Sequence, residues 1–303
     1  RGGVAPVATP EMIHREVRVR GGRVHYVDTA VPARTGADEA RPALALVHGL
    51  GGRRQHYGPA IERLADRTRV IAIDLPGFGE STLPEGRLEF DDHVAAVTAV
   101  LDDADAAQVV LVGHSMSGPL VLRFADCHTG RAAALVMVCG TVQSFQRTLA
   151  RRLEPWRRQP RTALATLAEV AMAATPLPRP VAGRLASTRA GRRLALWPFV
   201  HRPADLPAGH AETLIAGAGA RGVLPTARAL GRIGAWEQVT TAGLPPVYSI
   251  AGAFDRIAPL ADLKRLPVPL ERSLVLDAGH MVMLERTDAF CEELELILAE
   301  TSG

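Results

Sequence analysis

Val109-Val110-Leu111-Val112-Gly113-His114-Ser115-Met116-Ser117-Gly118 sets four contiguous apolar residues against a run of small ones. A short apolar run closed by glycine reads as a strand buried on both faces. Residues 119–127 then carry apolar positions at helical spacing, so the segment reads as strand, tight turn and helix, with Ser115 at the centre of the turn. Strain in such a turn lifts a serine Oγ above the sheet edge, and small neighbours let strand and helix approach closely.

The same grammar extends in both directions. Upstream, residues 43–47 and 70–73 are continuous apolar runs of buried-strand type, and 17–19 and 24–27 flank Gly21-Gly22 as a hairpin. A helical stretch covers 92–101. Downstream come strands at 134–139, 247–251 and 273–276, then a helix over 288–299 whose Phe290, Leu294, Ile297 and Leu298 share one face. This alternation predicts an α/β fold, a mostly parallel sheet with helices on both faces. Between 141 and 240 the strand-like runs cease, and 15 arginines stand against 5 acidic residues in a chain whose net charge is only +3. That shift predicts a helical subdomain at 141–240 inserted into a core formed by 1–140 and 241–303.

Composition removes several function classes. With 303 residues, 47% hydrophobic and 22% charged, the chain is neither disordered, collagen-like nor a disulfide scaffold, and its length suits one core domain with an insertion. Cys127, Cys139 and Cys291 are odd in number and lack metal-ligand spacing, which predicts free thiols in a reducing compartment, with no disulfide and no structural zinc. No apolar stretch approaches the roughly 18 residues of a membrane span, and the first residues lack the apolar core of a signal peptide. The expectation is a cytoplasmic protein without stable membrane insertion. Lys264 is the single lysine, and no interleaved aromatic and basic motif accompanies the arginines, so nucleic acid is not an expected partner. Gly49-Leu50-Gly51-Gly52 fails the dinucleotide fingerprint at Arg54.

A serine hydroxyl is a weak nucleophile that needs a base, an acid to orient the base, and donors for the developing oxyanion. The chain offers candidates for each. Asp277-Ala278-Gly279-His280-Met281 follows the last strand and precedes the final helix; Ala251-Gly252-Ala253-Phe254-Asp255-Arg256-Ile257-Ala258-Pro259 follows the strand before it. His48-Gly49-Leu50-Gly51-Gly52 follows the strand at 43–47, and Asp74-Leu75-Pro76-Gly77-Phe78-Gly79-Glu80-Ser81 follows the strand at 70–73. Taken in order with the Ser115 turn, these motifs resemble the α/β-hydrolase superfamily over about residues 15–140 and 240–300. The usual G-x-S-x-G pattern is altered, with Ser117 at its fifth position and Gly118 following.

The resemblance implies an α/β-hydrolase fold in which 141–240 forms a helical cap over the site. It implies Ser115 as nucleophile, His280 as general base and Asp255 as the acid that orients it, with Asp277 as the competing neighbour of His280. The amides of Leu50 and Met116 would form the oxyanion hole, with His48 and Gly49 as its supporting loop. The 74–81 loop is expected to be scaffold. Members that form alkyl esters use Asp at the elbow, so a serine there points to acyl chemistry, without metal or organic cofactor and on a small-molecule substrate. Phe145, Trp156, Trp197 and Trp236, with Phe199, are candidates for an aromatic pocket, and the cap arginines read either as a solvated face or as a grip on an anionic substrate. Esters and lactones lead. Carbon-carbon bond hydrolysis, a perhydrolase activity, natural-product acyl transfer or cyclisation, and a ligand receptor on the same fold stand as alternatives.

Overall fold

Eight strands form one sheet in the order β1-β2-β4-β3-β5-β6-β7-β8. They are β1 Met12–Val19, β2 Gly22–Thr29, β3 Ala43–Val47, β4 Val70–Ile73, β5 Val109–His114, β6 Ala132–Val138, β7 Val247–Gly252 and β8 Arg272–Leu276. This computed structural model describes residues 11–29, 41–150, 153–233 and 243–302. β1 and β2 pair antiparallel from Val19 opposite Gly22 to Met12 opposite Thr29, with Gly21 at φ 71° making the turn. β2 meets β4 antiparallel, and all remaining pairs are parallel. Every residue of β3, β4 and β5 is buried, as a sheet covered on both faces requires, whereas edge strand β8 alternates half-buried with exposed.

The strand order reverses around β3, which has β4 on one side and β5 on the other. In open parallel sheets ligands bind outside the carboxyl ends of the strands at such a reversal, because the two following loops part there. The loops so placed are the one that begins at His48 and the turn at Ser115.

Among the described residues, seven helices and no strand lie between β6 and β7: Gln143–Leu149, Glu154–Arg158, Pro160–Ala174, Arg179–Ser187, Arg189–Leu196, Ala208–Ile215 and Val223–Arg232. Pro160 begins the third of these at the first helical position, where its missing N–H costs nothing. Ser144 ties the first of them to the core, its N–H and Oγ each donating at 2.7 Å to the buried Asp262 carboxyl. Many of the arginines in this stretch are surface groups with acidic partners, such as Arg147 with Glu154 and Arg189 with Asp205. Arg192 is buried and donates to the carbonyls of Ala186 and Ala204. No helix among the described residues is long and apolar enough to cross a membrane.

The 74–81 loop braces the site from below. Asp74 is fully buried, accepts from the backbone N–H of Arg54 at 2.8 Å and of Glu80 at 3.1 Å, and pairs with the Arg54 guanidinium. Its own carbonyl accepts from Ser81 Oγ at 2.6 Å. Removing one partner of a buried ion pair strands the other charge, so Asp74→Ala is expected to lower the unfolding free energy by about 3–5 kcal/mol, read as a reduced urea midpoint.

Candidate active site

Ser115 follows β5 with φ at 54°, in the left-handed region that side chains other than glycine rarely adopt. The turn closes through Gly118 N–H donating to the Ser115 carbonyl at 2.8 Å, and Ser115 N–H donates to Val138 O at 2.9 Å. Small residues are needed here: a side chain on Gly113 would collide with the Ser117 backbone, and one on Gly118 with the backbone of Gly140. The altered fifth position has its own partner, since Ser117 Oγ donates to His48 O at 2.6 Å and ties the elbow to the loop after β3.

That loop is fixed internally. His48 is fully buried; its Nε2 accepts from Leu75 N–H at 3.0 Å, so its proton sits on Nδ1, which donates to Gly49 O at 2.7 Å. Gly52 N–H also donates to Gly49 O. Burial lowers the His48 pKa and keeps the ring neutral. Leu50 lines the adjoining cavity, and Met116 follows Ser115 at the start of the helix Ser117–Cys127.

Asp255 and His280 meet across the ends of β7 and β8. His280 Nδ1 lies 2.8 Å from Asp255 Oδ2, while Asp255 Oδ1 accepts from the N–H groups of Ile257 and Ala258 at 2.8 and 2.9 Å. Both side chains are almost wholly buried. Burial opposes a charge on His280, yet the Asp255 carboxylate and the hydrogen bond to it outweigh that and raise its pKa above the ordinary histidine value. His280 Nε2 has no hydrogen-bond partner among the described residues. Asp277, the competitor, is on the surface and pairs with Arg286 at 2.8 Å. His114, the residue before Ser115, donates through Nε2 to His280 O at 2.9 Å, and burial followed by repulsion from His280 holds its pKa well down.

Gly49, Leu50, His114 and His280 line a cavity of about 630 Å³, counted to its open mouth, with walls largely from the helices between β6 and β7. Ser115 is buried just behind Gly49, where a Cβ would stand 2.7 Å from the Ser115 Cβ. The walls are mainly aliphatic, and Phe199 is the only Phe, Tyr or Trp among the lining residues. The expected aromatic pocket is therefore corrected. Phe145 is packed in the core, Trp156 is 42% exposed on the outside, and Trp197 is half-buried with its carbonyl accepting from Arg256 at 2.9 Å. Trp236 lies outside the described residues. Among the described residues no arginine or lysine lines the cavity, so none is placed to grip an anion there.

Sequence reasoning missed most of the aliphatic wall and, among its polar residues, Glu169 and His56. Glu169 is the sole acid of the helix Pro160–Ala174 and falls on its buried face with Ala165, Thr166 and Ala173; a carboxyl on an apolar face was the available signal. His56 comes from the short 3₁₀ turn Arg54–Tyr57. Because Ser117 Oγ is fully buried on the His48 carbonyl, Ser117→Ala is expected to lose about 1–3 kcal/mol of stability, measured by urea unfolding against the native chain.

Residues 44–293 match the model of the Alpha/beta hydrolase family. The dihydrolipoyllysine-residue acetyltransferase component of the acetoin cleaving system of Pseudomonas putida is 40% identical over 100 residues, 33% of this chain and 27% of that one. The chain's matches span about a quarter to a third of the length of such curated relatives. A thermophilic esterase from Thermogutta terrifontis superposes with a TM-score of 0.69 at 19% identity, over 97% of this chain and 100% of the other. The enol-lactonase from Burkholderia xenovorans LB400 gives 0.67 at 19%, over 94% and 100%. At such identity the structural likeness is one of fold, but the family match covers most of the sequence. The chain belongs to the alpha/beta hydrolase family.

Proposed function

We propose that the protein is a cofactor-independent serine hydrolase that cleaves small or medium, largely apolar carboxylic esters or lactones through an acyl-enzyme on Ser115. The observation that carries this reading is the buried 2.8 Å contact between His280 Nδ1 and Asp255 Oδ2, with His280 Nε2 unpartnered among the described residues and the His280 ring 4.7 Å from that of His114, the residue before Ser115. The helices at 141–240 serve as the cap and 1–140 with 241–303 as the core. The aliphatic lining of the cavity suits an apolar substrate.

In this mechanism His280 Nε2 takes the Ser115 proton as Oγ adds to the substrate carbonyl. The amides of Leu50 and Met116 stabilise the oxyanion, each such donor being worth about 2.7–4 kcal/mol in comparable enzymes. His280 then protonates the leaving alcohol as the C–O bond breaks. A water, deprotonated by His280, adds to the acyl-enzyme, and as the acyl C–O bond breaks His280 returns that proton to Ser115 Oγ and the acid is freed. Asp255 keeps the proton of neutral His280 on Nδ1 and stabilises the imidazolium.

The test is hydrolysis of p-nitrophenyl esters from acetate to decanoate. Turnover should favour the shorter chains, vanish in Ser115→Ala, and fall about 10⁴-fold in kcat in Asp255→Asn. Absence of ester turnover by the native chain overturns the proposal. The base must be neutral to accept a proton, so kcat/KM should rise with pH through a midpoint above 6.5, the ordinary histidine value that His280 exceeds. A profile flat from pH 5 to 9 would remove His280 from this role.

A further inference from the structure

The mechanism leaves one buried group of the cavity without a task. Glu169 is 1% exposed, lines the cavity among residues such as Met172, Ala173 and Leu177, and its Oε2 has no hydrogen-bond partner among the described residues. A buried polar group left unpaired costs about 1–3 kcal/mol, and more when it is charged. Such groups in a native protein call for an explanation, and a ligand that completes them is one. His56 repeats the pattern elsewhere in the wall: its ring is held by the Thr213 backbone, and its Nε2 is buried without a partner.

Both groups are uncharged near neutral pH. Burial pushes Glu169 up to about 8, against the attraction of His280 and together with the repulsion of Asp255. Burial, with His48 and Arg53 adding to it, pushes His56 down to about 3. No arginine or lysine is among the described lining residues, so away from His280 the cavity presents an anionic substrate group with no permanent counter-charge. A neutral carboxyl both donates and accepts, which complements a hydroxyl or a keto oxygen.

We infer that Glu169 determines substrate specificity by hydrogen-bonding a hydroxyl or keto oxygen carried by the substrate away from the carbonyl that Ser115 attacks. The preferred substrates are uncharged hydroxy- or oxo-substituted esters or lactones rather than plain alkyl esters. This rests on the serine-hydrolase proposal and narrows its substrate class.

The experiment compares kcat/KM for p-nitrophenyl 3-hydroxybutyrate and p-nitrophenyl 4-oxopentanoate with that for the unsubstituted butyrate and pentanoate. The native chain should favour each substituted ester about tenfold, the value of one good hydrogen bond. Glu169→Leu should abolish that preference, and Glu169→Gln, which still donates and accepts, should keep most of it. The ratio within one preparation does not depend on how much of the variant is folded. A native ratio near one, or a ratio in Glu169→Leu within twofold of native, overturns the inference. If the native chain hydrolyses no ester, the serine-hydrolase proposal falls first. Calorimetry of methyl 3-hydroxybutyrate and methyl butyrate binding to Ser115→Ala, with and without Glu169→Leu, then decides for Glu169 alone. Tighter binding of the hydroxy ester that disappears with Glu169 sustains the role, and equal affinities or no binding overturn it.

Discussion

Everything at this site is referred to the backbone of one turn. Ser115 is held at φ 54°, a conformation that costs of order 1–3 kcal/mol and persists only where its surroundings over-determine it. The surroundings here are backbone against backbone, with Gly118 meeting Gly140 and Gly113 meeting Ser117 where no Cβ would fit. The residues on either side of the turn then reach outward. Ser117 Oγ holds the His48 carbonyl and His114 Nε2 holds the His280 carbonyl. The loops after β3 and β8 are thereby tied to the end of β5, and the proposed nucleophile, oxyanion donors and base share one frame.

The anchoring continues into the helices between β6 and β7. His280 N–H donates to Phe199 O at 2.7 Å, and the Glu285 carboxyl accepts from both Gly279 N–H and His201 N–H at 2.8 Å. The His201 ring stacks on Phe254, next to Asp255, at 3.7 Å between centroids. Segment 197–201 is thus bonded to the loops that bear Asp255 and His280, and it supports their geometry. Buried hydrogen bonds of this kind fix loops that surface packing would leave mobile.

The sheet was legible because a parallel sheet covered on both faces must be written in continuous apolar runs, and β3 and β4 fall on the expected residues. Boundaries moved where polar or small residues carry the element onward. β5 runs through Gly113 and His114, and the helix expected over 92–101 spans Phe90–Asp103, where Glu89 and Asp92 form a capping box. Asp255 and His280 could be picked out because each sits in a short motif at a strand end. The pocket could not be read in the same way. Which side chain of seven short helices faces a cavity depends on how those helices pack, and aromatic content carries no such direction, as Trp156 on the outer surface demonstrates.

Charge follows the same logic. An excess of arginine between β6 and β7 invited the idea of an anion grip, yet arginine is costly to desolvate without a partner, and Arg192, the buried example among the described residues, spends its guanidinium on backbone carbonyls. The interior of the cavity is left to aliphatic side chains and a few neutral polar atoms. In that low-dielectric setting the attraction between His280 and Asp255 is strong enough to overcome the burial that would otherwise discharge the imidazole. The same burial keeps Glu169 protonated at neutral pH. Two groups that line a single cavity are thus shifted the same way, toward the protonated form, for different reasons: Glu169 by burial itself, and His280 by the Asp255 carboxylate against burial.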